Sequence, residues 1–307
     1  MTDPTLRIGT RGSALALAQS GRVGDAVAAL TGCAVELVRI RTEGDVNRGP
    51  LATIGGTGVF VTAVRAALLA GEVDTVVHSF KDLPTGSADG IRLTAVPGRE
   101  DPFDALCARD GLTLDALPPG AWVGTGSPRR AAQLLAVRPD LAVHAIRGNV
   151  ETRLGLVDNG TVDAVVLAAA GLARLGRTDA ITETFGPNVM LPAPAQGALA
   201  VECRLDETAW YVEALNHLDD MATRCAALAE RGVLAGLEAG CSAPVAALGS
   251  MSAGMLTLRG RVVAVDGRAQ LDAVLTGAAG GDVEADELGR RFAADLLDRG
   301  AAGILGP

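Results

Sequence analysis

Side chains suited to chemistry are few in this sequence: the thiol of Cys241, the carboxylate of Asp82 and the amine of Lys81. Cys241 lies in Leu237-Glu-Ala-Gly-Cys-Ser-Ala-Pro244, which closes an Ala/Leu-rich helical segment, 223–237. Gly240 suits the left-handed residue just past a helix end, and Pro244 prevents the helix resuming. A cysteine on a loop of small residues is a candidate nucleophile with room for a bulky adduct. On this octapeptide alone, an ordinary loop cysteine is the plainer reading. Lys81 and Asp82 follow the buried run 74–78 in Ser79-Phe-Lys-Asp-Leu-Pro84. Ligands of open α/β sheets bind at the carboxyl ends of strands, so this pair stands where a site belongs. A solvated Lys-Asp turn is the alternative.

Arginines gather at comparable places. Arg11, Arg129, Arg130, Arg147, Arg153 and Arg174 fall at strand ends or helix starts. Lys81 is the only lysine, and a GC-rich genome explains an Arg bias overall. It does not explain where these arginines fall, Arg174 excepted. Clustered guanidiniums repel unless anions neutralise them, and Arg matches carboxylate or phosphate bidentately. The pattern points to a ligand carrying several anionic groups.

The elements that position these residues alternate β and α. A strand at residues 6–9 runs through Thr10-Arg-Gly-Ser13 into a helix reaching about residue 30, with Ser13 as N-cap. Such a turn aims free N–H groups at an anion. A strand at 34–41 leads to the glycine-rich stretch 42–58, a candidate lid or a plain connector. A helix at 60–70 and a strand at 74–78 complete the unit. After Val96-Pro-Gly-Arg-Glu-Asp-Pro102 the plan repeats. Trp122-Val-Gly-Thr-Gly-Ser-Pro-Arg-Arg130 matches the first strand and turn, 141–146 the second strand, and 160–166 the segment 71–77. Leu191-Pro-Ala-Pro-Ala-Gln196 then returns the chain. Two crossings between similar lobes imply a hinged cleft. From residue 219 the pattern changes to helix, three strands with an Asp266-Gly267 hairpin turn, and a closing helix over 282–299. The expected domains are 1–97 with 197–217, 103–191, and 219–307.

The chain has 307 residues, 49% hydrophobic and 21% charged, ordinary for a globular protein. A net charge of −9 argues against nucleic-acid or anionic-membrane partners. Its five cysteines form no CxxC pair, and no basic-apolar leader opens the chain, so reduced thiols in the cytoplasm are expected. No metal-ligand spacing, dinucleotide fingerprint, Walker sequence or Gly-x-Ser-x-Gly elbow occurs.

The segments Arg7-Ile-Gly-Thr-Arg-Gly-Ser13, Val77-His-Ser-Phe-Lys-Asp-Leu-Pro84, Gly124-Thr-Gly-Ser-Pro-Arg-Arg130, Arg147-Gly-Asn149, Leu191-Pro-Ala-Pro-Ala-Gln-Gly197, Glu202-Cys-Arg204 and Glu238-Ala-Gly-Cys-Ser-Ala-Pro244 resemble, in order, the hydroxymethylbilane synthase (porphobilinogen deaminase) family. The resemblance implies an α/β fold with two periplasmic-binding-protein-like lobes and a small α+β C-terminal domain. It implies a transferase that deaminates four porphobilinogen molecules and joins them head to tail, on a dipyrromethane cofactor thioether-linked to Cys241. Asp82 matches the catalytic aspartate. Lys81, Ser127, Arg129, Arg130 and Arg147 match cofactor-binding positions. Arg11, Ser13, Arg153 and Arg174 match substrate-binding ones, and Phe60, at the lid's end, either packs on pyrrole rings or is a plain core residue at a helix start. A monomer is implied. Thr53, Thr57 and Gly126 depart from the family pattern, which often has lysines in the lid and a serine before Ser127. On the residues alone, a bilobal anion-binding protein without chemistry and a Schiff-base enzyme at Lys81 remain open.

Overall fold

The computed structural model describes residues 4–41, 58–239 and 243–306. By packing, the chain divides into two compact units, Met1–Arg99 with Ala198–Arg224 and Glu100–Gly197 with Cys225–Pro307.

In the first unit five strands, numbered along the whole chain, form one sheet in the order β2-β1-β3-β10-β4. These are β1 (Thr5–Arg11), β2 (Ala34–Ile40), β3 (Thr75–Ser79), β4 (Ile91–Ala95) and β10 (Leu199–Arg204). β1 pairs in parallel with β2 and β3, while β10 lies antiparallel between β3 and β4. Helix α1 (Ala14–Thr31) starts at Ser13, whose side chain accepts the Ala16 N–H at 3.3 Å, and stops at left-handed Gly32. Helix α2 (Gly58–Leu69) precedes β3. Neighbouring strand residues point to opposite faces, and both faces are covered. Val77 packs with Leu6, Ile8, Val23 and Val27, and Val76 with Val64, Leu68 and Val73.

The second unit repeats the plan in the order β7-β6-β8-β5-β9. Its strands are β5 (Asp104–Ala108), β6 (Trp122–Gly124), β7 (Ala142–His144), β8 (Ala164–Ala168) and β9 (Glu183–Thr184). β6 is parallel to β7 and β8, and β5 is antiparallel to β8. One bond marks the correspondence. Phe80 N–H, just past β3, donates to Ala198 O at 3.0 Å, and Ala169 N–H, just past β8, donates to Phe103 O at 3.0 Å.

The antiparallel sheet β11 (Val245–Ser252), β12 (Met255–Val263), β13 (Gln270–Ala278) completes the second unit, with helix α7 (Met221–Gly236) from Cys225 onward and helix α8 (Asp282–Asp298). The smaller helices are α3 (Pro128–Val137), α4 (Val150–Asp158), α5 (Ala169–Arg174), α6 (Trp210–Asn216) and α9 (Ala301–Leu305). Phe292, Leu256, Leu258 and Leu288 centre this core. α7 and α8 meet at Gly289, where a Cβ would lie 2.1 Å from Ala229 O. The three-stranded part is fastened to the Pro-rich crossing. Buried Glu230 accepts Ala195 N–H at 2.5 Å and Gly249 N–H at 2.7 Å, and Ala247 N–H donates to Pro192 O at 3.2 Å.

The expected helices and most strands are present. The second lobe's second strand is shorter than the expected 141–146. The end of α7 differs from expectation. The left-handed residue is Glu238 (φ 50), with Glu238 N–H on Ala235 O at 3.1 Å and Ala239 N–H on Leu234 O at 3.2 Å. This is a Schellman ending two residues earlier than Gly240; Gly240 itself lies outside the described residues.

Candidate active site

In the first unit the loops after β1 and β3 lie at the carboxyl ends of parallel strands. Arg11 is the last residue of β1, and Ser13 follows as the cap of α1. Gln19, buried on α1, donates to Ser79 Oγ at 2.8 Å, tying that helix to the end of β3. Beyond Ser79 the chain makes one 3-10 turn, Phe80–Asp82. Phe80 and Leu83 are both 3% exposed, so they anchor the turn from within. Lys81 is half-buried and Asp82 exposed. A carboxylate is thus presented to solvent from a turn with little freedom to move.

Below this turn lies a buried ionic cluster. Arg65 donates to Glu202 through Nε at 2.9 Å and Nη2 at 2.5 Å, and His78 Nε2 stands 3.5 Å from the same carboxylate. Burial alone would raise the Glu202 carboxyl, but the Arg65 bonds and His78 outweigh it and bring it down to about 2.

In the second unit Ser127 caps α3, accepting the Arg130 N–H at 3.4 Å. Arg129 and Arg130 occupy the first turn of α3, where the helix dipole disfavours cations, and are only 4% and 5% exposed. Both converge on fully buried Asp104. Arg130 donates to Oδ1 through Nε at 3.0 Å and Nη2 at 2.7 Å, and Arg129 Nη2 reaches Oδ2 at 2.8 Å. Gln196 adds a donor to Oδ1 at 2.8 Å. Burial opposes the Asp104 charge, yet the two guanidiniums hold its carboxyl far below the usual range. The remaining arms fix the arginines: Arg129 Nη1 donates to Leu191 O at 2.6 Å, and Arg130 Nη1 to Val166 O at 2.9 Å.

Arg147 is exposed on the loop after β7, and Arg153 is half-buried on α4. Burial first, then like charge from Arg130 and Arg147, lowers the Arg153 guanidinium from its ordinary value. Arg153 Nε and Arg129 Nε are buried without a hydrogen bond. Gly126 is required here, since a Cβ would sit 2.7 Å from Ile146 O and 4.0 Å from Arg153 Nη2. Arg174, at the end of α5, donates to Gly197 O at 2.6 Å.

Within the second unit the structure thus brings Ser127, Arg129, Arg130, Arg147 and Arg153 together. Arg11, Ser13, Lys81 and Asp82 belong to the first unit. Cys241, Thr53, Thr57 and lid residues 42–57 lie outside the described residues; Phe60 lies in α2, with its side chain outside them. Sequence reasoning passed over Asp104, Gln196 and the Arg65–Glu202–His78 cluster. A charged residue opening the apolar run 105–107, just after Pro102, was the available signal for Asp104. Among the described residues no cluster of His, Cys, Asp and Glu is fit for a metal, and no helix is long and apolar enough to cross a membrane.

Two family profiles match the chain in sequence. One, described as porphobilinogen deaminase, dipyromethane cofactor binding domain, covers residues 6–211, and the other, porphobilinogen deaminase, C-terminal domain, covers 224–298. The chain belongs to the porphobilinogen deaminase family. Porphobilinogen deaminase of Thermobifida fusca is 53% identical over 310 residues, covering 99% of this chain and 97% of its own. Porphobilinogen deaminase 1 of Streptomyces coelicolor is 53% identical over 316 residues, covering 100% and 99%. The Mycobacterium tuberculosis porphobilinogen deaminase is 51% identical over 309 residues, covering 98% of each chain. Among solved structures, the methionine-binding protein MetQ is similar over 70% of this chain and 89% of its own, with a TM-score of 0.45 and 12% identity.

Proposed function

We propose that this chain is a hydroxymethylbilane synthase, a transferase of porphyrin and heme biosynthesis that deaminates porphobilinogen and joins four units head to tail with release of ammonia. The observation that carries this reading is the match to porphobilinogen deaminases along the whole chain. The site's chemistry agrees. Each porphobilinogen bears an acetate and a propionate, and in the second unit Arg129 and Arg130 share one buried carboxylate while Arg153 stands within electrostatic reach of Arg130 and Arg147.

Dipyrromethane, when bound, supplies the primer that incoming units extend. The residues suit it, because the buried Nε donors of Arg129 and Arg153 have no acceptor among the described residues. Cys241 is our attachment residue. In support, Cys33, Cys107, Cys203 and Cys225 are all buried, and burial pushes the Cys107 thiol up to about 11. Such thiols are poor nucleophiles. We assign Arg129, Arg130, Arg147, Ser127 and Lys81 to the cofactor's carboxylates, and Arg11, Ser13, Arg153, Arg174 and Phe60 to the substrate. Asp82, exposed on its anchored turn, is the catalytic carboxylate: it stabilises positive charge at a substrate pyrrole nitrogen and moves the proton there. The three-domain division at 1–97 with 197–217, 103–191 and 219–307, the monomeric state and the cytoplasmic location complete the proposal.

Incubation with porphobilinogen, following ammonia and tetrapyrrole together, tests it. One ammonia per porphobilinogen with linear tetrapyrrole as product is expected. Unconsumed porphobilinogen, with protein shown to be folded, contradicts the reading.

A further inference from the structure

Asp104, Arg129, Arg130 and Gln196 pose a question of design. Two adjacent guanidiniums buried on one carboxylate leave a surplus positive charge inside the protein, a costly arrangement unless it has a use. The first unit shows that the fold does not need it. Ser13 and Ser127 cap corresponding helices, so Leu15 and Ala16 occupy the places of Arg129 and Arg130. In the sheets, Leu199 pairs with Ser79 as Asp104 pairs with Ala168, so Leu199 occupies the place of Asp104. The three corresponding places in the first unit thus carry apolar side chains.

We propose that Asp104 is the positioning residue of the arginine pair: it cancels one of the two charges and locks both forks, leaving one oriented positive charge for a ligand carboxylate. The locking is visible in the bond set. Arg130 is held at Nε and Nη2 by Oδ1 and at Nη1 by Val166 O. Arg129 forms an ion pair through Nη2 with Oδ2 and donates through Nη1 to Leu191 O, while its buried Nε has no hydrogen bond among the described residues. Gln196 shares Oδ1 and also donates to Pro102 O at 2.8 Å, which keeps the carboxylate from rotating away. Without Asp104 the guanidiniums would repel each other and lose their common orientation. This inference rests on the reading that Arg129 and Arg130 hold carboxylates of the cofactor.

The test is a double-mutant cycle on the full chain with Asp104→Asn, Arg130→Lys and their combination, with Arg129→Lys alongside. Unfolding midpoint, dipyrromethane loading by intact mass, kcat and KM are read for each. Folded Asp104→Asn is expected to load slowly and to lose kcat/KM on the order of 100-fold, the scale of a misplaced binding group. The double variant is expected to be no worse than about threefold below the poorer single, because the two residues act as one unit. Additive losses would mean that Asp104 supports the fold alone, and would overturn the proposal. So would wild-type loading and kinetics in Asp104→Asn beside impaired arginine variants. Arginine variants that load and turn over normally would instead overturn the carboxylate reading itself, and this proposal with it. If Asp104→Asn does not fold, the cycle is run with Asp104→Glu, which keeps the charge but displaces it. A KM raised about tenfold with kcat nearly retained is then expected, and a wild-type KM overturns the proposal.

Discussion

The two five-stranded sheets share a topology but carry their carboxylates in opposite ways. Past β3 the first unit continues as Phe80-Lys81-Asp82, a short turn with an exposed acid. Past β8, from the corresponding bond, the second continues as Ala169-Ala170-Gly171, the start of an apolar helix. The second unit's acid is Asp104, fully buried at the head of β5, where the first unit has Leu199. One plan therefore yields an acid exposed on a turn and an acid buried between two arginines, which hold it far below the usual carboxylate range. Corresponding strand ends can thus present a carboxylate to solvent or bury it among cations.

Removing the acid we propose as catalytic gives the largest expected effect. Asp82→Asn should lower kcat by about 100-fold or more while leaving the unfolding midpoint unchanged, because the side chain is exposed. Near-normal turnover would break the contrast. Among the described residues the first unit holds one buried acid, Glu202, farther along β10, and it sharpens the comparison. Glu202→Gln should cost about 3–5 kcal/mol in denaturant unfolding, since it removes the buried carboxylate that half-buried Arg65 is paired with. Titration follows from the sign of the shift. With its folded value held near 2 against an ordinary 4.5, Glu202 contributes its full stability above about 4.5 and loses it as pH falls toward 2. Acid unfolding that is unchanged in Glu202→Gln would contradict this.

The glycines of the two turns differ in the same sense. A Cβ on Gly12 meets nothing within 4 Å, whereas one on Gly126 meets Ile146 O at 2.7 Å. Gly126→Ala should destabilise by about 1–3 kcal/mol, and Gly12→Ala by less than about 0.5 kcal/mol; equal thermal shifts would refute the steric account. The smallest effect is a gain. Glu238→Gly relieves a left-handed non-glycine residue and should stabilise by up to about 1 kcal/mol. A lower melting temperature would count against the Schellman ending.

Much of this arrangement is legible in the sequence, and its gaps have physical causes. The paired strand–turn–helix units announce themselves, because each joins an apolar run to a serine cap and a helix. β4, β5 and β10 do not stand out. β5 and β10 are buried on both faces, so no alternation marks them. The arginine pair is visible at a helix start, but its partners Asp104 and Gln196 lie 26 and, from Asp104, 92 residues away in sequence. Helical signals likewise place the end of α7 only approximately, because glutamate at 238 takes a conformation that composition assigns to Gly240.

The central claim is that this chain builds its product on a dipyrromethane carried by Cys241. Intact mass with peptide mapping tests it directly. A mass excess of two linked pyrroles, confined to the peptide containing Cys241, is predicted. A Cys241 peptide that stays unmodified after the folded protein is incubated with porphobilinogen would contradict the account.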